Sequence, residues 1–311
     1  GIAYGTSSDG SCLWVAVGSG THNILYSKDG TSWQDTATGT SKFGGGYGIG
    51  IAYGTSSDGS CLWVAVGGTT HNILYSKDGT SWQDTATGTS KFGYGAGNGI
   101  AYGTSSDGSC LWVAVGKGTH DILYSKDGIS WQDTATGTSK FGTCALTDYG
   151  LGIAYGKDST GSCLWVATGR GTHHILYSTD GTSWQTVTEG TSKFGTVATD
   201  RGNGIANNHL LYGMNKEYYR GPAPAPPSPT PPTPEPEEAD WVAVGQGMHE
   251  ILYSKDGISW QDTATGTSKF GVGYGGVGYG IAYGTSSDGS CLWVAVGGYT
   301  HEILYSKDGI S

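Results

Sequence analysis

Short apolar runs alternate with turn signals along the whole chain. The runs in the first repeat are Gly1–Gly5, Cys12–Gly18, Asn23–Lys28 and Ser32–Ala37. Asp9-Gly10 and Asp29-Gly30 lie between these runs and are dipeptides typical of tight hairpin turns. The second run contains CLWVAV, which is apolar at every position, so we predict an interior strand covered on both faces. The pattern therefore predicts four antiparallel strands in a unit of about 50 residues.

The same pattern occurs six times, each time around a Trp-Val-Ala core. The units occupy about residues 1–49, 50–98, 99–151, 152–203, 204–279 and 280–311. Four strands and a period near 50 residues are typical of a β-propeller blade. One such unit is too small to bury its tryptophans alone, so neighbouring units must stack. We therefore predict an all-β fold in which residues 1–311 form a single closed six-bladed β-propeller with four antiparallel strands per blade.

The sixth unit stops at Ser311, before the run that forms the fourth strand of the other units. An unpaired strand edge has to be covered. We expect the missing strand to come from a neighbouring chain or from a continuation of the sequence.

The third turn of each unit contains a recurring acidic motif. Ser27-Lys28-Asp29-Gly30-Thr31-Ser32-Trp33 resembles the Asp-box of bacterial neuraminidases, S-x-D-x-G-x-T-W, but is one residue shorter between Asp and Trp. The aspartates of the copies are Asp29, Asp78, Asp127, Asp180, Asp256 and Asp308. We expect Asp29 to accept backbone N–H groups, Gly30 to adopt a positive φ and Trp33 to pack over the turn. The resemblance implies a propeller and a structural turn, and it implies no activity.

The fifth unit is interrupted by a Pro-rich insertion at residues 214–240, which holds all nine prolines of the chain. Such a segment cannot join a sheet; it adopts polyproline II, and 17 residues reach about 50 Å. Its Ser-Pro and Thr-Pro steps resemble hydroxyproline-rich extracellular glycoproteins, which implies hydroxylation and O-glycosylation. The candidate residues are Pro222, Pro224, Pro226, Pro227, Ser228, Pro229, Thr230, Pro231, Pro232, Thr233, Pro234 and Pro236. A plain solvated spacer and a ligand for an SH3-type domain share this composition.

Composition and charge exclude several classes of protein. The 57 glycines show no G-X-Y period, which excludes collagen. A net charge of −10 excludes a basic nucleic-acid binder. No apolar stretch reaches the length of a membrane span, so we predict none. The scarcity of Leu, Glu and Lys makes helices unfavourable.

Candidate catalytic and metal-binding residues are few. A sialidase requires an arginine triad, and this chain has only Arg170, Arg201 and Arg220. The recurring histidines occupy equivalent positions of different units, too far apart to share one ion; they are His22, His71, His120, His173, His249 and His301. Five cysteines also share one strand position and are expected as small buried residues: Cys12, Cys61, Cys110, Cys163 and Cys291. Cys144 lies outside the repeat, and its disulfide state stays open. We therefore predict no catalytic residue, cofactor or metal site.

Near-identical units without an active site indicate a structural role. We predict a non-enzymatic extracellular subunit of a filament or matrix, which self-associates through propeller contacts and a glycosylated Pro-rich arm. The alternative is a multivalent lectin or adhesin that binds glycans through exposed aromatic rings. The strand contexts of both tryptophans in each unit predict burial, which argues against this alternative. The tyrosines expected in exposed loops are Tyr47, Tyr94, Tyr149, Tyr274 and Tyr279.

Overall fold

In the computed structural model, the sheets follow the repeat of the sequence. The described residues are 1–43, 46–68, 70–93, 95–134, 140–142, 147–158, 160–187, 194–195, 200–207, 239–263, 270–271, 276–285, 291–298 and 302–310. The Pro-rich candidates and Cys144 lie outside them. Within the described part, the chain consists of antiparallel strands arranged in recurring units. The prediction of an all-β repeat fold is confirmed.

Unit one is a sheet of four strands in chain order, and it sets the pattern for the others. The strands are β1 (Ile2–Thr6), β2 (Cys12–Val17), β3 (Ile24–Ser27) and β4 (Gln34–Asp35). β1 pairs with β2 so that Tyr4 lies opposite Trp14. The four predicted strands are therefore present, with the fourth shorter than expected.

The later units repeat this order. Unit two contains β5 (Tyr47–Thr55), β6 (Cys61–Gly68), β7 (Ile73–Ser76) and β8 (Gln83–Asp84). Unit three contains β9 (Ala96–Thr104), β10 (Cys110–Lys117), β11 (Ile122–Ser125) and β12 (Gln132–Asp133). Unit four contains β13 (Tyr149–Lys157), β14 (Cys163–Arg170), β15 (Ile175–Ser178) and β16 (Gln185–Thr186). Unit five contains β17 (Arg201–Asn207), β18 (Trp241–Gln246), β19 (Ile251–Ser254) and β20 (Gln261–Asp262). Unit six contains β21 (Val277–Thr285), β22 (Cys291–Gly298) and β23 (Ile303–Ser306).

Short helices occur in the described part of the chain, although its composition makes helices unfavourable. They are α1 (Ala37–Lys42) and α2 (Ala86–Phe92). The fourth strand ends at Asp35, and the hydroxyl and backbone N–H of Thr36 both donate to the Ile24 carbonyl, at 3.0 and 3.3 Å. The following turn of helix brings Phe43 back into the core, where it is fully buried. The fourth run predicted to reach Ala37 was therefore too long.

The core lies between units rather than within them. Alternate residues of a strand point to opposite faces, so CLWVAV presents Leu and Val to one side and Trp and Ala to the other. We name these the Leu face and the Trp face of a unit. In the first junction the Leu face consists of Leu13, Val15, Val17 and Ile24, and the facing Trp face consists of Trp63, Ala65, Leu74 and Trp82. The equivalent clusters recur at the following junctions.

The first strands of successive units lie side by side at close range. A Cβ at Gly50 would be 3.3 Å from the Asn98 carbonyl oxygen, and one at Gly99 would be 3.0 Å from that of Leu151. Glycine before Ile-Ala-Tyr therefore allows the backbones of neighbouring units to approach. Among the described residues, no strand pairing joins unit six back to unit one. The closed six-bladed ring stays a prediction.

Several predicted burials need correction. Cys12 is exposed, and Cys61, Cys110 and Cys163 are half-buried. None of these four cysteines forms a disulfide bond. They occupy the first position of their strand, at the end of the sheet, which is less covered than its centre. Tyr47, Tyr149 and Tyr279 lie within strands rather than loops, although Tyr47 and Tyr279 are exposed as expected. No helix in the described part of the chain is long and apolar enough to span a membrane.

Candidate functional site

A leucine and a turn glycine define the contact between neighbouring units. Leu13 of unit one reaches the acidic turn of unit two, where a Cβ at Gly79 would be 2.4 Å from Leu13 Cδ2. The same pair recurs between Leu62 and Gly128, at 2.4 Å. The glycine leaves a hollow that the leucine of the preceding unit fills.

A tyrosine stacks on a second glycine across the same contact. A Cβ at Gly5 would be 2.3 Å from the ring of Tyr53, and one at Gly54 would be 2.3 Å from the ring of Tyr102. The Tyr53 ring also packs on Trp63 of its own unit, with 4.7 Å between centroids. Each junction therefore interlocks in two places, and it has a fixed direction from Leu face to Trp face.

Polar bonds fix the register of this contact. The Ser7 hydroxyl donates to the Asp78 carbonyl at 3.1 Å, and the Trp82 backbone N–H donates to Thr38 Oγ1 at 3.0 Å. Lys42 Nζ pairs with Asp84 Oδ1 at 2.6 Å. The bond from Trp82 recurs one unit later, because the Trp131 N–H donates to Thr87 Oγ1 at 3.0 Å.

The Trp face of unit one is uncovered. Trp14 and Trp33 are each 36% exposed, whereas Trp63 and Trp82 are 0% and 2% exposed. The hollow above Gly30 is bordered by Trp14 of its own unit and holds no leucine. The prediction that both tryptophans of each unit are buried is therefore wrong for unit one, because no unit covers it.

The Leu face of unit six is uncovered in the complementary way. Ile303 is 70% and Val296 42% exposed, while the equivalent Ile24 and Val17 of unit one are 0% and 6% exposed. No atom lies within 4 Å of the Cβ position of Gly284, where units one to four accommodate an aromatic or amide side chain. The two ends of the described chain thus carry the two halves of the contact that joins its units.

The acidic turns are built as the sequence predicts. Asp78 Oδ1 accepts the N–H groups of Thr80 at 2.8 Å and Ser81 at 2.6 Å, and Gly79 has a φ of +76°. The Trp82 indole N–H donates back to the Gly79 carbonyl at 3.2 Å. Burial raises the pKa of Asp78, but the Ser81 and Thr80 N–H groups outweigh it and lower that pKa to about 2. The Asp78 carboxylate thus holds the turn together by accepting hydrogen bonds from the backbone N–H groups around it.

We expect Asp78→Ala to lower the free energy of unfolding by about 2 kcal/mol, because two backbone N–H groups lose their acceptor at a junction. Urea unfolding at neutral pH measures the change. The matched control is Asp58→Ala in an exposed turn, where Asp58 also accepts the Ser60 N–H at 2.9 Å. Equal losses in both variants would contradict a role of Asp78 in the junction.

The structure pairs two of the arginines across strands and places His22 beside the fourth strand of its own unit. Arg170 and Arg201 are brought together as a cross-strand pair, and Arg201 Nε donates to Asn203 Oδ1 at 3.0 Å. Arg220 lies outside the described residues. His22 Nδ1 is 3.5 Å from Asp35 on the fourth strand of its own unit. No group of three or more metal-ligating side chains occurs in the part of the chain that the structure describes.

Sequence reasoning missed a polar position before Ile-Leu-Tyr that is buried in units one to five and exposed in unit six. In units one and two it is Asn23 and Asn72, whose amides donate to the Gly46 and Gly95 carbonyls of the connection to the next unit. Unit three has Asp121 instead, and burial and the neighbouring Asp148 raise the pKa of Asp121 to about 8. The available signal was the variation of this position between otherwise identical flanks: Asn23, Asn72, Asp121, His174, Glu250 and Glu302.

A scan against known protein families gives no match, and a search of curated proteins gives none either. Three solved structures show a distant similarity. A candidate exo-β-1,3-galactanase from Bifidobacterium bifidum has a TM-score of 0.42 and 14% identity, over 86% of this chain and 92% of that one. A Dyadobacter fermentans protein of unknown function has a TM-score of 0.41 and 14% identity, over 100% and 79%. The polysaccharide lyase Uly1 has a TM-score of 0.37 and 10% identity, over 98% and 76%. Similarity at this level assigns neither family nor activity.

Proposed function

We propose that this protein is a non-enzymatic structural subunit that self-associates end to end. The observation that carries the proposal is the pair of uncovered, complementary end faces in units one and six. Each is an apolar surface that the other units bury completely. An exposed apolar surface of this kind is a typical protein–protein contact site.

The direction of the contact sets the form of the assembly. A Leu face binds a Trp face, so two copies join head to tail and leave one free face of each kind. A contact between different surfaces that does not close on itself generates filaments. A closed six-bladed ring would instead cover both faces within one chain and give a monomer.

The proposal also includes where the protein acts and how its Pro-rich arm is modified. We propose that the subunit is extracellular and that the Pro-rich arm at residues 222–238 carries O-linked glycans and links neighbouring molecules. These statements depend on the composition of the arm. The alternative is a multivalent lectin that binds glycans through exposed aromatic rings. The fully buried Trp side chains of the second strand are not accessible to such a ligand: Trp63, Trp112, Trp165 and Trp241.

Sedimentation velocity and negative-stain electron microscopy of the 311-residue chain test this proposal. We expect concentration-dependent oligomers and filaments, and we expect Ile303→Glu to abolish them without loss of circular dichroism. Met248→Glu is the matched control, because Met248 is 58% exposed but belongs to neither end face. Deletion of residues 222–238 is expected to leave the units folded and to abolish filaments. A monomer at all concentrations would overturn the proposal.

A further inference from the structure

We propose that a second copy of this chain docks on the end face in the same register as an internal junction; this inference rests on the proposed function. In that register Leu292 of one copy enters the hollow above Gly30 of the next. Tyr4 of the second copy stacks on Gly284 of the first. In the described chain, no leucine lies above Gly30, and no atom lies within 4 Å of the Cβ position of Gly284.

The internal junctions supply the geometry of each contact. Leu292 is the unit-six equivalent of Leu13 and Leu62, which fill the hollows above Gly79 and Gly128. Tyr4 is the unit-one equivalent of Tyr53, and its ring already packs on Trp14 at 4.7 Å as Tyr53 does on Trp63. Tyr4 is 51% exposed, so its outer ring face is accessible to a partner. Tyr4 therefore already has the ring packing that Tyr53 has in an internal junction.

A cysteine lies at the edge of this contact. In the internal junctions a threonine of one unit approaches the cysteine of the next: Thr55 Oγ1 is 3.6 Å from Cys110 Sγ, and Thr104 Oγ1 is 3.4 Å from Cys163 Sγ. In unit one the corresponding cysteine is Cys12, which is exposed. In unit six the corresponding position is 285, which pairs with Cys291 as Thr55 pairs with Cys61. The proposed register places position 285 of one copy beside Cys12 of the next.

This proximity gives a direct test in the full chain. The variant Thr285→Cys, mildly oxidised, is expected to form disulfide-linked dimers and higher multimers with native Cys12 on non-reducing gels. Cys291→Ser is included in this variant, because Cys291 is the cross-strand partner of position 285 and would compete for the new thiol. Peptide mapping identifies the linked pair. Thr55→Cys is the internal control, since its new thiol lies beside Cys110 and links within one chain. Thr285→Cys combined with Cys12→Ser is expected to lose the multimer ladder.

The outcomes separate this inference from the proposed function. If the chain sediments as oligomers but Thr285→Cys gives no Cys12 link, the register is wrong and self-association stands. If the chain is monomeric and the 285–12 link forms within one chain, the ring is closed and both proposals fail. A ladder that persists without Cys12 would also overturn the register.

Discussion

Gly103→Ala is expected to destabilise the chain by about 2–3 kcal/mol, because it overpacks a junction. A Cβ at Gly103 would be 2.2 Å from Cγ of the Tyr155 ring, which belongs to the next unit. The ring is held from its other side by Trp165, with 4.7 Å between centroids. It cannot retreat without disturbing the buried core of that junction. The midpoint of urea unfolding measures the loss.

Gly284→Ala is the matched control at the equivalent position of unit six. No atom lies within 4 Å of its Cβ position, so we expect a change in unfolding free energy below about 0.5 kcal/mol. The same variant is expected to weaken self-association, since the proposed register places Tyr4 of a second copy there. Equal destabilisation by both alanines would show that unit six is covered within one chain, as in a closed ring.

The repeat and its binary pattern account for most of the fold. CLWVAV is apolar on both faces because an inner unit is sandwiched between two others. In unit two, Trp63 packs at the junction with unit one and Leu62 at the junction with unit three. The acidic turn was also predictable, because Asp29, Gly30 and Trp33 each have a specific role in a tight turn. The sequence of a single unit is enough to predict a turn of this kind.

The features that the sequence did not predict depend on contacts between units. α1 follows a strand that ends early, which the apolar pattern does not reveal. The exposure of Trp14 and Ile303 depends on whether a neighbouring unit is present, and identical sequences are buried elsewhere. Asp121 appears as an ordinary polar residue at a strand start. Its burial arises only when the connection to the next unit covers it.

Asp121→Asn is expected to stabilise the protein increasingly as the pH rises. Asp121 is 3% exposed, and burial together with the charge of Asp148 raises its pKa from 3.8 to about 8. A carboxyl group whose pKa is raised on folding is neutral in the native state over this range. The wild-type protein therefore has its full stability below about pH 4 and loses stability as the pH rises towards 8. The asparagine cannot ionise and avoids this loss.

Urea unfolding of both proteins at pH 4.5, 6, 7.5 and 9 measures the effect. The stability difference is expected to grow by up to about 1.4 kcal/mol per pH unit and to level off above pH 8, reaching on the order of 2–4 kcal/mol. Asn72→Asp is the reciprocal control, since it introduces a carboxyl group where an amide donates to the Gly95 carbonyl. It should destabilise unit two, and more so at high pH. A difference between Asp121→Asn and wild type that does not vary with pH would contradict the buried neutral carboxyl. In that case Asp121 would be ionised in the native state.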